Sequence, residues 1–242
     1  FLLDQIKNIG LDIYSPCKLI SYKKIQDHYL INTSEGQIKS KYIMLATNGY
    51  SNKEIGTENY NIIGLPSYIA VSNEIGPEKI LKLMPNLRMY SDSKNDLYYF
   101  RPTHDYKRLL FGAFPIWSFG KEKSIYVKNF FHSAIRKILP TINDFSIEYI
   151  WGGKVGVTFN SLPQVKLQDN KIFVFGCNGS GVALMPYLGD KAVNLIDQKL
   201  NSQFIMSKIK TKKNFFKSFI IWLLPILGFY YRVRERIENK FL

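Results

Sequence analysis

Acidic residues are scarce in this chain. Nineteen Asp and Glu stand against 33 Lys and Arg, leaving a formal net charge of +14. Cysteine is nearly absent. Cys17 and Cys177 form no CxxC pair and have no clustered histidines, which excludes a structural zinc site and a disulfide framework. Reduced thiols in a cytoplasmic protein are the expectation. No uninterrupted apolar run reaches the roughly 20 residues that a membrane span requires. The nearest approach, Phe215–Tyr231, is broken by Lys217, Pro225 and Gly228. No helix-turn-helix, zinc-finger or RNP pattern accompanies the positive charge, so nucleic acid is not the expected partner. The chain opens on Phe1 rather than Met, without a charged segment and cleavage site after it. The expectation is a processed start or a piece of a longer polypeptide, with no secretory signal read at the start of these residues.

What remains is ample for a folded core. The chain has 242 residues, 46% of them hydrophobic and 15% aromatic, a composition that excludes general disorder. Phe1–Ile9 reads as the end of an amphipathic helix stopped by Gly10. Short strands are expected at Leu11–Tyr14, Lys18–Lys24, Tyr29–Thr33 and Gln37–Ser40, the last two joined by the turn Ser34-Glu35-Gly36. The apolar run Tyr42–Ala46 predicts a parallel strand buried on both faces. The middle of the chain changes texture. Strands are expected at Ser67–Ile75, Asp96–Thr103, Arg108–Ala113 and Phe145–Trp151, with helices over Pro77–Leu83 and Val127–Leu139, an antiparallel α+β pattern. Phe130, Phe131, Ala134, Ile135 and Ile138 would form the inner stripe of the second helix.

Buried-strand texture returns at Lys171–Phe175. The turn Gly176-Cys177-Asn178-Gly179-Ser180-Gly181 follows, and then a helix from about Val182 to Leu200. A strand, a glycine-rich turn and a helix in that order present backbone N–H groups and a positive dipole end to an anion or a polar ligand edge. This turn differs from the dinucleotide fingerprint. It comes late in the chain rather than after the first strand of a βαβ unit.

In order along the chain come Ile43–Tyr50, Tyr98–Thr103 with Leu109–Gly112, Trp151-Gly152-Gly153, Thr158, Leu162-Pro163, Ile172–Gly181 and Tyr230–Arg236. This series resembles the D-amino-acid-oxidase-like superfamily of FAD-dependent oxidoreductases, and within it the γ-glutamylputrescine oxidase type of amine oxidase. The resemblance implies an α/β plus α+β fold: an incomplete, Rossmann-like FAD-binding domain and an antiparallel-sheet substrate domain. Residues 1–60 and 151–200 would belong to the first, 61–150 to the second, and 201–242 to a basic and apolar tail.

The resemblance also implies roles. Leu19 would meet the adenine through its backbone, and Ala46, Thr47, Asn48 and Gly49 would form a second FAD-contacting strand end. Leu162 and Pro163, with Gly176, Asn178, Gly179, Ser180, Gly181 and Val182, would surround the isoalloxazine ring. The helix N-terminus would stabilise negative charge accumulating there. FAD would be held non-covalently, because Cys177 stands where relatives carry an aromatic residue. The strand–turn–helix that grips the pyrophosphate is missing, so these residues alone would bind FAD weakly. Tyr98, Tyr99, Arg101 and Trp151 are the expected substrate pocket, with aromatic walls suited to a cationic amine. Val155 replaces an arginine that amino-acid oxidases use to clamp a carboxylate, which favours an amine substrate. The implied reaction oxidises a C–N bond to an imine that hydrolyses to a carbonyl. The alternatives are an amino-acid oxidase anchored by Arg101 and a non-catalytic membrane- or partner-binding fragment. The tail is expected to dock on the protein, and its flanking lysines and arginines leave peripheral membrane contact open.

Overall fold

Three sheets organise the residues that the computed structural model describes, which are 2–51, 62–93, 97–114, 125–142, 144–197, 204–209 and 217–238. Helix α1 (Leu2–Asn8) ends at Gly10, whose φ of +78° favours glycine. An antiparallel meander follows: β1 (Leu19–Ile25), β2 (His28–Thr33) and β3 (Gly36–Ser40). Its second turn is held by the Thr33 hydroxyl, which accepts from the Glu35 N–H at 3.2 Å and donates to the Gly36 carbonyl at 2.9 Å.

The second sheet places β4 (Ile43–Leu45) parallel to β11 (Lys171–Phe175), which pairs antiparallel with β10 (Gln164–Gln168). Ile43, Leu45, Phe173 and Phe175 turn to the meander and pack with Tyr29 and Ile62. Val165, Ile172 and Val174 turn to the opposite side and meet Leu188 and Ala192 of helix α4 (Gly181–Ile196). β11 is thereby buried on both faces, whereas β4 is not. Met44 is 40% exposed, because α4 lies over β10 and β11 and stops short of this edge strand.

The third sheet is formed by residues between β4 and β11 in sequence. Its order is β6 (Tyr90–Ser91), β7 (Tyr98–Pro102), β8 (Leu109–Ala113), β5 (Ile62–Ser72) and β9 (Ile147–Thr158), all antiparallel. Helices α2 (Pro77–Leu83) and α3 (Ile125–Ile138) cover one face. Phe131, Ala134 and Ile135 are buried there, and Phe130 and Ile138 pack at the margin, so the expected stripe is the inner face. Phe111 stacks on Phe100 at 5.7 Å and meets Phe131 edge-on at 6.1 Å, an arrangement that suits ring quadrupoles.

Some expectations need correction. Leu11–Tyr14 is irregular rather than a strand, and Leu11, Ile13 and Tyr14 are exposed with no partner strand among the described residues. β5 starts five residues before Ser67, at Ile62. β9 continues seven residues beyond Trp151, to Thr158, so the boundary placed at 151 falls inside a strand. Asp96 and Leu200, the expected limits of a strand and a helix, lie outside the described residues.

The tail holds a short helix, α5 (Ile205–Lys208), and a long one, α6 (Lys217–Glu238). Lys166 pins the first. Its ammonium donates to the Ser207 carbonyl at 2.7 Å and also to that of Ile209. Desolvation there pulls the Lys166 pKa below the ordinary lysine value. The expected docking of the tail does not extend to α6, where Phe219, Trp222, Ile226 and Phe229 are exposed. No described helix is long and apolar enough to cross a membrane.

Arg108 fastens the far end of the antiparallel sheet. It donates to the Ser72 carbonyl at 3.1 Å, pairs with Glu74 at 3.4 Å and forms a short ion pair with Glu148. That hydrogen bond, followed by a smaller one from Tyr149, holds the Glu148 carboxyl below its ordinary pKa. A depressed carboxylate contributes stability above its unfolded pKa, near 4.3, and loses it as pH falls through the folded value. Urea midpoints measured from pH 6 down to pH 3 are therefore expected to fall less steeply in Glu148→Gln than in the parent. Parallel acid limbs would show that this pair contributes nothing.

Candidate functional site

The ends of β4 and β11 meet through two asparagines. After β4, Ala46 and Thr47 lead into a single 3-10 turn, Asn48–Tyr50. Asn48 has φ +44°, a left-handed conformation that Asn tolerates better than most residues. Its amide oxygen accepts from the backbone N–H of Gly176 at 3.0 Å and of Cys177 at 3.4 Å. Its amide nitrogen donates to the Cys177 sulfur at 2.8 Å. Asn178, with φ +48°, makes the reciprocal clasp to β9. Its side-chain oxygen accepts from the Thr158 N–H at 2.9 Å, its side-chain nitrogen donates to the Gly176 carbonyl at 2.6 Å, and its backbone N–H donates to the Gly156 carbonyl at 3.0 Å. The Thr158 hydroxyl then donates to the Leu162 carbonyl at 2.9 Å, which brings Leu162 and Pro163 beside Gly176.

Close backbone approach makes this junction possible. A Cβ on Gly49 would strike the Lys154 carbonyl group, 2.7 Å from its carbon, and sit 3.0 Å from the Gly156 nitrogen. A Cβ on Gly156 would fall 2.7 Å from the Asn48 Cγ, and one on Gly64 would collide with the Gly49 carbonyl. Glycine inside a strand marks such a crossing, and that signal could have identified Gly64 and Gly156, which the sequence reading left out.

Helix α4 starts on this junction. Ser180 occupies the N-cap position without a side-chain bond to the helix, and its own N–H donates to the Cys177 carbonyl at 2.8 Å. The first-turn N–H groups of a helix have no intrahelical acceptor. Val182 is 92% exposed, and the space around Gly179, at φ +95°, is open. The arrangement is a firmly held, uncapped helix start that opens outward. Its donors and dipole suit the electron-accepting polar edge of a flavin, and Gly179, with open space where a Cβ would stand, leaves room for a flat ring, so the residues present fit FAD. Cys177 is buried beneath the helix, its sulfur engaged by Asn48 and 3.4 Å from the place of a Gly181 Cβ.

The uncovered face of the third sheet adjoins this junction. Tyr50, Ser67, Ile69, Trp151, Lys154 and Val155 line a cleft of about 280 Å³. The Tyr50 hydroxyl accepts from the Lys154 N–H at 3.2 Å and joins cleft to turn. Tyr99 lies across Gly112 with its hydroxyl 3.2 Å from that of Ser67, so it shares the cleft face. Arg101, two residues on, shares the Tyr99 side of β7 and is exposed; its guanidinium donates to the Pro102 carbonyl at 3.0 Å. Tyr98 points the other way. It packs in the core against Phe111 at 5.5 Å and Phe130 at 6.0 Å, because alternate strand residues face opposite sides. Of the four expected pocket residues, Tyr99 and Trp151 flank the cleft, Arg101 lies on the same face, and Tyr98 does not.

Leu19 opens β1 and packs on the cluster between the meander and the second sheet, apart from the asparagine clasp. Gln164 was not singled out from the sequence. It follows Pro163, is 2% exposed, and its amide oxygen accepts no hydrogen bond from the described residues. Such an atom suits a polar group arriving from outside them.

An α/β layer with a meander on one face and a helix on the other, joined to an antiparallel sheet beside an uncapped helix start, is the architecture of flavin-dependent oxidases. The chain belongs to the DAO family of FAD-dependent oxidoreductases, whose model matches residues 1–195. It is 26% identical over 211 residues to a probable oxidoreductase OrdL of Rhizobium meliloti, covering 86% of this chain and 48% of that protein. It is 24% identical over 169 residues to the gamma-glutamylputrescine oxidoreductase of Escherichia coli, covering 69% and 39%. The chain thus spans about half the length, or less, of these relatives. Among solved structures, glycine oxidase from Geobacillus kaustophilus superposes with a TM-score of 0.64 at 15% identity, covering 85% of this chain and 54% of the other. L-proline dehydrogenase from P. horikoshii gives 0.64 at 16% identity, covering 84% and 55%. These likenesses establish the fold, a mixed α/β and antiparallel architecture shared with FAD-binding oxidases.

Proposed function

We propose that this chain is the substrate-facing and flavin-facing part of an FAD-dependent amine oxidoreductase that oxidises a C–N bond to an imine, which water converts to a carbonyl. The observation that carries the reading is the uncapped start of α4, held by Asn48 and Asn178 against the cleft of Tyr50 and Trp151. FAD would lie against Ala46–Gly49, Leu162-Pro163 and Gly176–Val182, with its pyrophosphate gripped by residues outside this chain. The bound cofactor supplies the hydride acceptor and passes the electrons to oxygen or another acceptor. The α4 N–H groups would favour negative charge on the bound cofactor. Trp151 and Tyr99 would shield the reacting carbon from water and contact the alkyl part of the amine. The buried, hydrogen-bonded Cys177 thiol supports non-covalent attachment.

The amine preference rests on Val155, where a carboxylate-clamping arginine is lacking, and on the resemblance to a relative named for gamma-glutamylputrescine. The test is peroxide release and dye reduction by the full-length protein across γ-glutamylputrescine and simple primary and secondary amines. Turnover of at least one amine is expected; no turnover across the panel with either acceptor would sink the reading. The position of Arg101 on the cleft side of β7 favours a second reading, an amino-acid oxidase. Activity that requires an α-carboxylate and is lost in Arg101→Leu would select it.

A further inference from the structure

Helix α6 carries its apolar residues on the outside. Phe219, Trp222, Ile226, Phe229 and Val233 follow one another at spacings of three and four, so they share one stripe along the helix. All five are exposed, Trp222 by 67%, and the Phe219 and Trp222 rings stack at 6.2 Å. Leu227 and Tyr230 of the same helix are exposed as well. A large aromatic stripe on a surface calls for a second phase or a partner.

Charge selects the occupant. Residues 201–242 hold nine Lys and Arg (Lys208, Lys210, Lys212, Lys213, Lys217, Arg232, Arg234, Arg236 and Lys240) and two Glu, a net charge of +7. That is half of the chain's +14. The cations bracket the stripe: five precede Phe219 and four follow Tyr231. A protein groove that accepts an apolar helix has no general need of cations at both ends, whereas an anionic bilayer rewards this pattern. Tryptophan and phenylalanine enter the acyl boundary, and lysine and arginine reach the headgroup charge. The helix is not apolar enough to span, so it would lie in the interface.

We propose that α6 is a peripheral membrane anchor that lays its Phe219–Trp222–Phe229 face on anionic lipid. Vesicle co-sedimentation of the full protein tests this, using phosphatidylcholine alone and phosphatidylcholine with phosphatidylglycerol. Binding to the anionic vesicles is expected to weaken in high salt and to fall by roughly tenfold or more in Trp222→Glu. Far-UV circular dichroism checks that the variant is folded, and Phe229→Glu replaces it where it is not. Absence of binding to anionic vesicles, or equal and salt-insensitive binding to neutral ones, overturns the proposal. So does a parent dimer that Trp222→Glu converts to a monomer, since the stripe then belongs to a second copy.

Discussion

Gly49→Ala is expected to lower the urea midpoint of the protein by an amount equivalent to about 3 kcal/mol, at the upper end of what overpacking costs. The argument is steric. The new methyl would meet the Lys154 carbonyl group and come within 3.0 Å of the Gly156 nitrogen, and all of these are backbone atoms. No side chain can rotate away to make room. β9 is fixed in register against β5 from Ile62↔Thr158 to Ile69↔Trp151, so moving Lys154 disturbs a paired strand. Moving the 3-10 turn instead withdraws Asn48 from the two N–H groups that it caps. Gly189→Ala is the contrasting substitution. Nothing lies within 4 Å of its Cβ position, it stands inside α4, and it is expected to stabilise by about 0.5–1 kcal/mol, because alanine loses less entropy in a helix than glycine. Equal midpoints for Gly49→Ala and the parent would mean that the crossing is not tight.

Elements whose pattern is local were legible in the sequence. The α2 range is marked by Pro77 at its first position, β11 by a continuous apolar run ending at Gly176, and α3 by a stripe of period 3.6. The late glycine turn was legible as a strand-to-helix junction, because glycine spacing and helix onset are both written locally. What was not legible depends on other chain segments. The exposure of Met44 follows from how far α4 reaches across the sheet, and no property of residues 42–46 records that. The inward turn of Tyr98 and outward turn of Tyr99 depend on which face α3 covers. A run of two tyrosines and a phenylalanine has no alternation from which to read it. β9 runs past the expected end at Trp151 through Gly152, Gly153 and Gly156, which record the passage of the Tyr68, Tyr50 and Asn48 side chains. Asn48 and Asn178 were named as cofactor contacts from resemblance, yet their visible work is structural: Asn48 ties its turn to Gly176 and Cys177, and Asn178 ties that segment to Gly156 and Thr158 of β9.

The second large effect is expected at Asn48, where two substitutions separate holding the site from tuning it. Asn48→Ala removes the acceptor of the Gly176 and Cys177 N–H groups and the donor to the Cys177 sulfur, and it puts alanine at a φ of +44°. Orphaned N–H groups cost about 1–3 kcal/mol, and a left-handed alanine about 1–2 kcal/mol. A loss of about 3 kcal/mol by urea denaturation is therefore expected. Asn48→Asp keeps an acceptor oxygen of the same shape and a residue that tolerates the left-handed conformation. Its carboxylate can take the same two N–H groups in charge-assisted bonds. Its stability is expected to stay within about 1 kcal/mol of the parent, since the one bond lost is the weak one to sulfur. The new negative charge, however, stands beside the turn that leads into α4, the element proposed to favour electron density on bound FAD. The full-length Asp variant should consequently be folded and slow, with its deficit in kcat, while the Ala variant should be unstable. An Asp variant as unstable as the Ala variant would make the bond to Cys177 the main support of the junction. A stable Asp variant with parental kcat would show that the junction carries no electrostatic role in turnover.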